Sequence, residues 1–175
     1  MWPESEGALI AAAKAGDGGA FADLVRPAYG DAFRLAFALI HDRYEAEDVV
    51  QDAAFNAWRK IGQLRTGTAM RPWFLGIVAN VCRSRVRVRW WSVIRTPQPP
   101  ESNSDPDVAA NLDVRMAVAR LGYDQRVAVM LRYYLDLPFD QVAAALGISP
   151  KAARSRVERA IERLRSELRP VEALC

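Results

Sequence analysis

The side chains in this sequence with chemistry to offer are mostly cationic. Between Asp52 and Glu101 there is no acidic residue, and into that gap fall Arg59, Lys60, Arg65, Arg71, Arg83, Arg85, Arg87, Arg89 and Arg95. The chain as a whole is close to balance, with 24 Lys+Arg against 21 Asp+Glu, a net charge of +3 and a pI of 9.1. Ten of the acids lie at or before Asp52, so the charges are segregated along the chain. A block of arginines with no neutralising acids creates a local positive field, and its chemistry is the electrostatic capture of a polyanion. A solvated basic face and a membrane surface are the alternatives, although prolines and mixed polar residues around the block break any long lipid-facing helix. A second cluster, Lys151, Arg154, Ser155, Arg156, Glu158 and Arg159, lies near the C-terminus. Arginine pairs with guanine, glutamate accepts from cytosine and serine contacts a phosphate, so these residue types suit a duplex groove. The rival for that cluster is an ordinary amphipathic helix with Arg–Glu pairs four residues apart.

Other chemistries find no foothold. His41 is the single histidine and sits at a helix boundary; Cys82 and Cys175 are far apart and form no CxxC spacing. No nucleophile–base pairing, metal-ligand spacing, phosphate loop or dinucleotide fingerprint can be read, so no catalytic residue, metal or cofactor is expected. Gly16-Asp17-Gly18-Gly19 lacks the Lys-Ser/Thr ending of a phosphate loop and reads as a turn. The apolar runs Ala8–Ala13 and Leu35–Ile40 are far shorter than the roughly 20 residues that cross a bilayer. No signal peptide is visible, so a cytoplasmic protein without membrane insertion is expected.

The elements that must carry these residues read as helices throughout. Apolar residues make up 51% of the chain, and β-branched alternation is scarce, which predicts an all-α fold. A first helix spans 4–15, and a second runs from about Ala20 to Ile40, with Pro27 starting or kinking it. Asp42 caps a third from Arg43 to Ile61, which places Ala46, Val49, Val50, Ala53, Ala57 and Ile61 on one face. A fourth starts near Ala69 with Pro72 in its first turn and buries Trp73, Ile77, Val78 and Val81. Arg83 to Trp91 alternates with period two, the pattern of a strand, but follows a helical stripe without a break and is read as helix. Residues 96–107 hold Pro97, Pro99, Pro100 and Pro106 among Ser, Asn, Asp and Glu, the composition of a flexible linker. It separates a domain at 1–95 from one at 108–175. The second domain divides into helices at about 108–121, 124–136 and 139–146, then one that Ser149 caps and Pro150 opens, running to Leu168. A short helix, a turn at Gly147 and a longer capped helix outline a helix-turn-helix. Its last helix turns Ala153, Val157, Ala160, Leu164 and Leu168 toward the core.

With both halves in view, the chain resembles the extracytoplasmic-function (ECF) sigma factors, small two-domain specificity subunits of bacterial RNA polymerase. Three segments carry the likeness: Ala46-Glu-Asp-Val-Val-Gln-Asp-Ala53 with Ala57-Trp58-Arg59; Pro72-Trp73-Phe74-Leu75-Gly76-Ile77-Val78-Ala79-Asn80; and Gln141-Val-Ala-Ala-Ala-Leu-Gly-Ile148 with Ala153-Arg154-Ser155-Arg156-Val157. The resemblance implies that Asp48, Val49, Gln51 and Asp52 meet the clamp helices of the polymerase. Phe55 either joins them or belongs to the core. It implies that Asn80 captures a flipped base of the −10 element, with Trp73 beside it and Arg83, Arg85 and Arg87 on phosphates. Trp90 and Trp91 are either stacking platforms or structural. Lys151, Arg154, Ser155, Arg156, Glu158 and Arg159 would read the −35 element. The implied partners are core RNA polymerase (with flap contacts through the second domain), promoter DNA and an anti-sigma factor. Pro72 stands where Thr is common, Gly76 replaces a usual Arg, Gly122-Tyr123 a common Leu-Pro, and Ala152 a frequent Thr. The rival function is a helix-turn-helix regulator that binds duplex DNA without polymerase, as a dimer on paired half-sites.

Overall fold

The computed structural model describes residues 4–65, 67–93 and 114–168, and every regular element among them is helical. The linker at 96–107, Cys175 and the side chains of Trp90 and Trp91 lie outside the described residues. Helix α1 covers Glu4–Lys14 and α2 covers Gly18–Ile40. The Asp17 carboxylate accepts from the Gly19 and Ala20 amides at 2.8 and 3.1 Å, which satisfies two of the donors that a helix start leaves unpaired. α2 runs through Pro27, so the proline does not start it. It ends where His41 takes the left-handed conformation (φ 60) and donates its amide to Phe37 O at 2.8 Å. One residue later the Asp42 carboxylate accepts from Glu45 N at 3.0 Å and opens α3, Arg43–Lys60.

Small residues let these helices approach closely. Ala28, Ala32 and Ala36 of α2 and Ala46, Ala53 and Ala57 of α3 are buried, and short side chains at such positions leave room for the close packing of protein interiors. A 3₁₀ turn, Ile61–Gln63, follows α3, and Lys14 Nζ donates to Leu64 O just beyond it at 2.6 Å. Helix α4, Met70–Val93, is continuous through the arginine alternation, so the period-two pattern there does not mark a strand. Its buried arc differs from the one expected. Phe74, Leu75, Val78, Ala79 and Cys82 are enclosed, while Trp73, Ile77 and Val81 are only half-buried. The cause is that α4 is packed from two sides, which widens its apolar arc and turns its centre away from Trp73.

The second packing surface comes from the C-terminal part. Helix α5 (114–120) precedes α6, Tyr123–Val129, and the chain then widens into a π turn, Met130–Tyr134. The expected single α-helix to Asp136 therefore stops early. Leu135 N reaches back five residues to Met130 O at 3.0 Å, and Asp136 is left-handed at φ 52. Tertiary bonds hold this terminus: Arg34 donates to Tyr134 O at 3.0 Å and Arg71 to Leu135 O at 3.4 Å. Helix α7, Phe139–Leu146, ends on Gly147 at φ 66, and α8, Pro150–Leu168, starts behind Ser149, whose hydroxyl accepts from Ala152 N at 3.2 Å. Ala153, Val157, Ala160 and Leu164 of α8 are buried as expected. Leu168 is not; it is 40% exposed, because α8 outruns the small cluster that Ala117, Leu121 and Val129 form around Ala160 and Leu164.

The two parts share one apolar core. Val127, Leu131, Leu137 and Val142 belong to the same buried cluster as Leu35, Phe74 and Val78. At its tightest point α7 lies against Gly76 of α4. A Cβ there would stand 3.1 Å from the Ala145 carbonyl carbon and nearer still to its oxygen.

Candidate nucleic-acid interface

The expected residues fall on three surfaces. On α3, Asp48, Gln51 and Asp52 are exposed, and Phe55 is 63% exposed, with the Arg59 guanidinium 5.8 Å from its ring. Phe55 is therefore not core. Val49 is: it is wholly buried and leaves the polymerase-facing set, because it sits on the Ala46–Val50–Ala53 stripe that meets α2 and α4. Asp52 is not simply presented to solvent, since its carboxylate pairs with Arg85 of α4 at 2.6 Å. That bond, first, and the further charges of Asp48 and Glu45 hold the Arg85 guanidinium more firmly protonated than usual.

On α4, Asn80, Arg83, Arg85 and Arg87 are exposed, along the side of the helix that the core leaves uncovered. Three- and four-residue spacings bring Asn80 and Arg83, then Arg83 and Arg87, onto adjoining turns. Trp73 is half-buried and packs against the core. Arg83 pairs with Asp124 from the start of α6 and lies 4.9 Å over the Tyr123 ring. The Tyr123 hydroxyl donates to Ala79 O at 2.6 Å, and burial pushes its ionisation well above the usual phenol range. Sequence reasoning missed Tyr123 and Asp124 as neighbours of this surface. The one signal was that Gly122-Tyr123 departs from the family's Leu-Pro.

On α8, Lys151, Arg154, Glu158 and Arg159 are exposed, and Ser155 and Arg156 are partly covered. Arg154 stacks 4.5 Å above Phe139, whose ring also lies 5.3 Å from Arg132. This cation–π contact orients the guanidinium before any ligand arrives. Arg159 spends its Nε on Ser155 O at 3.1 Å and keeps its remaining donors for a partner. Arg156 shares a cleft of about 210 Å³ with Asn80, Arg83 and Asp124 between α4 and the second part. Among the described residues no cluster of His, Cys, Asp and Glu is arranged to hold a metal ion, and no helix is long and apolar enough to cross a membrane. Cys82 is buried, and desolvation pushes its thiol up to about 12.

Two helical bodies, an arginine-lined long helix and a helix-turn-helix define a class: sequence models for sigma-70 region 2 and sigma-70 region 4 match residues 12–92 and 111–164, in that order. The ECF RNA polymerase sigma factor SigM of Mycobacterium tuberculosis is 32% identical over 163 residues, spanning 91% of this chain and 83% of that protein. The structure of the sigma factor RpoE in complex with the anti-sigma factor NepR from Bartonella quintana superposes with a TM-score of 0.63 at 26% identity, covering 87% of this chain and 98% of the other. CnrH, solved with the cytosolic domain of CnrY, shares the fold at a TM-score of 0.71 and 24% identity over 94% of this chain and 97% of its own. This chain belongs to the ECF family of RNA polymerase sigma factors.

Proposed function

We propose that this protein binds core RNA polymerase and directs it to promoters bearing −10 and −35 elements. The observation that carries this is the order of a region 2 and a region 4 in one chain, with exposed arginines on α4 and a capped reading helix, α8. Asp48, Gln51, Asp52 and Phe55 on α3 meet the polymerase clamp helices. Asn80 hydrogen-bonds a base of the −10 element once it leaves the stack. Extruding a base costs a few kcal/mol, which contacts to its edge have to offset. Arg83, Arg85 and Arg87 bind the phosphates alongside, and Lys151, Arg154, Ser155, Glu158 and Arg159 meet the −35 duplex. The protein makes and breaks no covalent bond; RNA synthesis is the polymerase's chemistry. It acts in the cytoplasm and is held in check by an anti-sigma factor, a reading supported by the RpoE relative, whose structure contains one.

Transcription in vitro with purified core polymerase tests this. Promoter-dependent transcripts should require the protein, and their absence on every cognate DNA offered would end the proposal.

A further inference from the structure

Helix α4, which carries Asn80 and the exposed arginines, opens without a cap of its own. The residue before Met70 is Ala69, whose carbonyl accepts from Trp73 N at 3.3 Å. A serine, threonine or aspartate at that place covers one of the amides that a helix start leaves unpaired, and an alanine has nothing to offer them. The acceptor comes instead from α1: Glu6 Oε1 takes the Met70 amide at 3.2 Å. A carboxylate is also the charge that the positive end of a helix favours.

The other end of α1 holds the far side of the same connection. Lys14 Nζ donates to Leu64 O at 2.6 Å, just after the 3₁₀ turn that follows α3. Lys14 stands eight positions after Glu6 on one helix, a rigid span of about 12 Å. Leu64 and Met70 are each 1% exposed, and Ala13, with Leu9, Ile10 and Ala12, fixes α1 to the same core. Between the two pinned ends Gly67 stands at φ 84, and a turn bond runs from Thr68 N to Arg65 O at 3.0 Å. α1 thus sets the gap between α3, which carries the proposed polymerase face, and α4, which carries the proposed −10 face. Glu6 lies ahead of the residues 12–92 that the region 2 model matches.

We propose that α1 is a strap across the connection from α3 to α4, and that Glu6 and Lys14 are positioning residues for promoter opening. The proposal rests on the functional reading above. Neither side chain touches DNA. Glu6 fixes where α4 begins, Lys14 fixes where the turn after α3 ends, and Arg65, an exposed cation between them, is held in register with the arginines of α4. A base leaving the stack meets contacts that are already in place, because ordering a loose connection at that moment costs conformational entropy.

Lys14→Met and Glu6→Ala remove the two bonds, whereas Lys14→Arg and Glu6→Gln keep a donor and an acceptor. Each full chain is compared with the wild type by circular dichroism, amide hydrogen exchange, competition for core polymerase, and permanganate footprinting of the holoenzyme on promoter DNA. Glu6→Ala should speed exchange at Met70, and Lys14→Met at Thr68. Both removals should keep the helical content and compete for core within about twofold of wild type, while opening slows about threefold to tenfold, the loss of one hydrogen bond. The two conservative variants should restore most of the opening rate. Wild-type opening in both removal variants overturns the proposal, as do conservative variants no faster than the removals. Parallel loss of core binding and opening overturns it too, since that is what a merely structural helix gives. If the removal variants do not fold, the wild type answers alone: a Met70 amide that exchanges without protection overturns the strap. A wild type that opens no cognate promoter refutes the functional reading instead, and the exchange comparison still decides whether α1 holds the connection.

Discussion

Asn80 and the arginines that follow it, which the proposed function places on DNA, are exposed on α4, and two of those arginines are already paired with carboxylates. Arg85 is tied to Asp52 at 2.6 Å and Arg83 to Asp124, so any phosphate that the proposed function brings to these arginines has to displace a surface carboxylate. Asn80→Ala should leave competition for core polymerase unchanged and slow promoter opening, read by permanganate footprinting. Equal loss in both assays would mark Asn80 as structural. Arg154, pre-oriented on Phe139, should matter more in base reading than Lys151. Arg154→Ala is expected to cost about 1–3 kcal/mol of −35-dependent binding. Lys151→Ala should instead lower the salt slope of promoter binding by about 1. Cys82 is enclosed and its thiol sits near 12. In a Cys175→Ala background, a thiol reagent at neutral pH should label nothing until denaturant is added.

Helix boundaries in this chain are set by local chemistry. Asp17, Asp42 and Ser149 each accept an amide at a helix start; the starts at Asp42 and Ser149 are legible in the sequence because a cap acts over three residues, whereas Asp17 reads there only as part of a turn. The turn between α7 and α8 depends on Gly147 at φ 66, with Ile148 N donating to Ala143 O at 3.1 Å. Gly147→Ala forces a Cβ into left-handed backbone and should cost about 1–2 kcal/mol, visible as a lower denaturant midpoint and weaker −35 binding. The π turn after Val129 was not legible. It is held by Arg34 of α2 and Arg71 of α4, which lie 100 and 64 residues from their partners in sequence, and no local pattern encodes such partners.

For the molecule as a whole, the charge segregation and the order of the three motif segments identified the family and its division of labour. They did not indicate that the two parts share a core. Composition points to a linker at 96–107, yet the cluster that joins Leu35, Phe74 and Val78 to Val127 and Val142 makes the parts one packed body. Val49, wholly buried, is misread because motif likeness gives a residue a role without saying which side of its helix the neighbours cover. Gly76 is the sharpest case. In the sequence it is a departure from an expected arginine; in the structure it is the point where two helices touch.

Periodicity, caps and charge runs act within a few residues of chain, and from them this sequence specified an all-helical, polyanion-binding, two-part protein. The closed arrangement, the pairing of Arg83 with Asp124 and the burial of Val49 depend on surfaces that meet only after the helices pack. Contact between helices far apart in the chain depends on shape complementarity, which one-dimensional patterns do not carry.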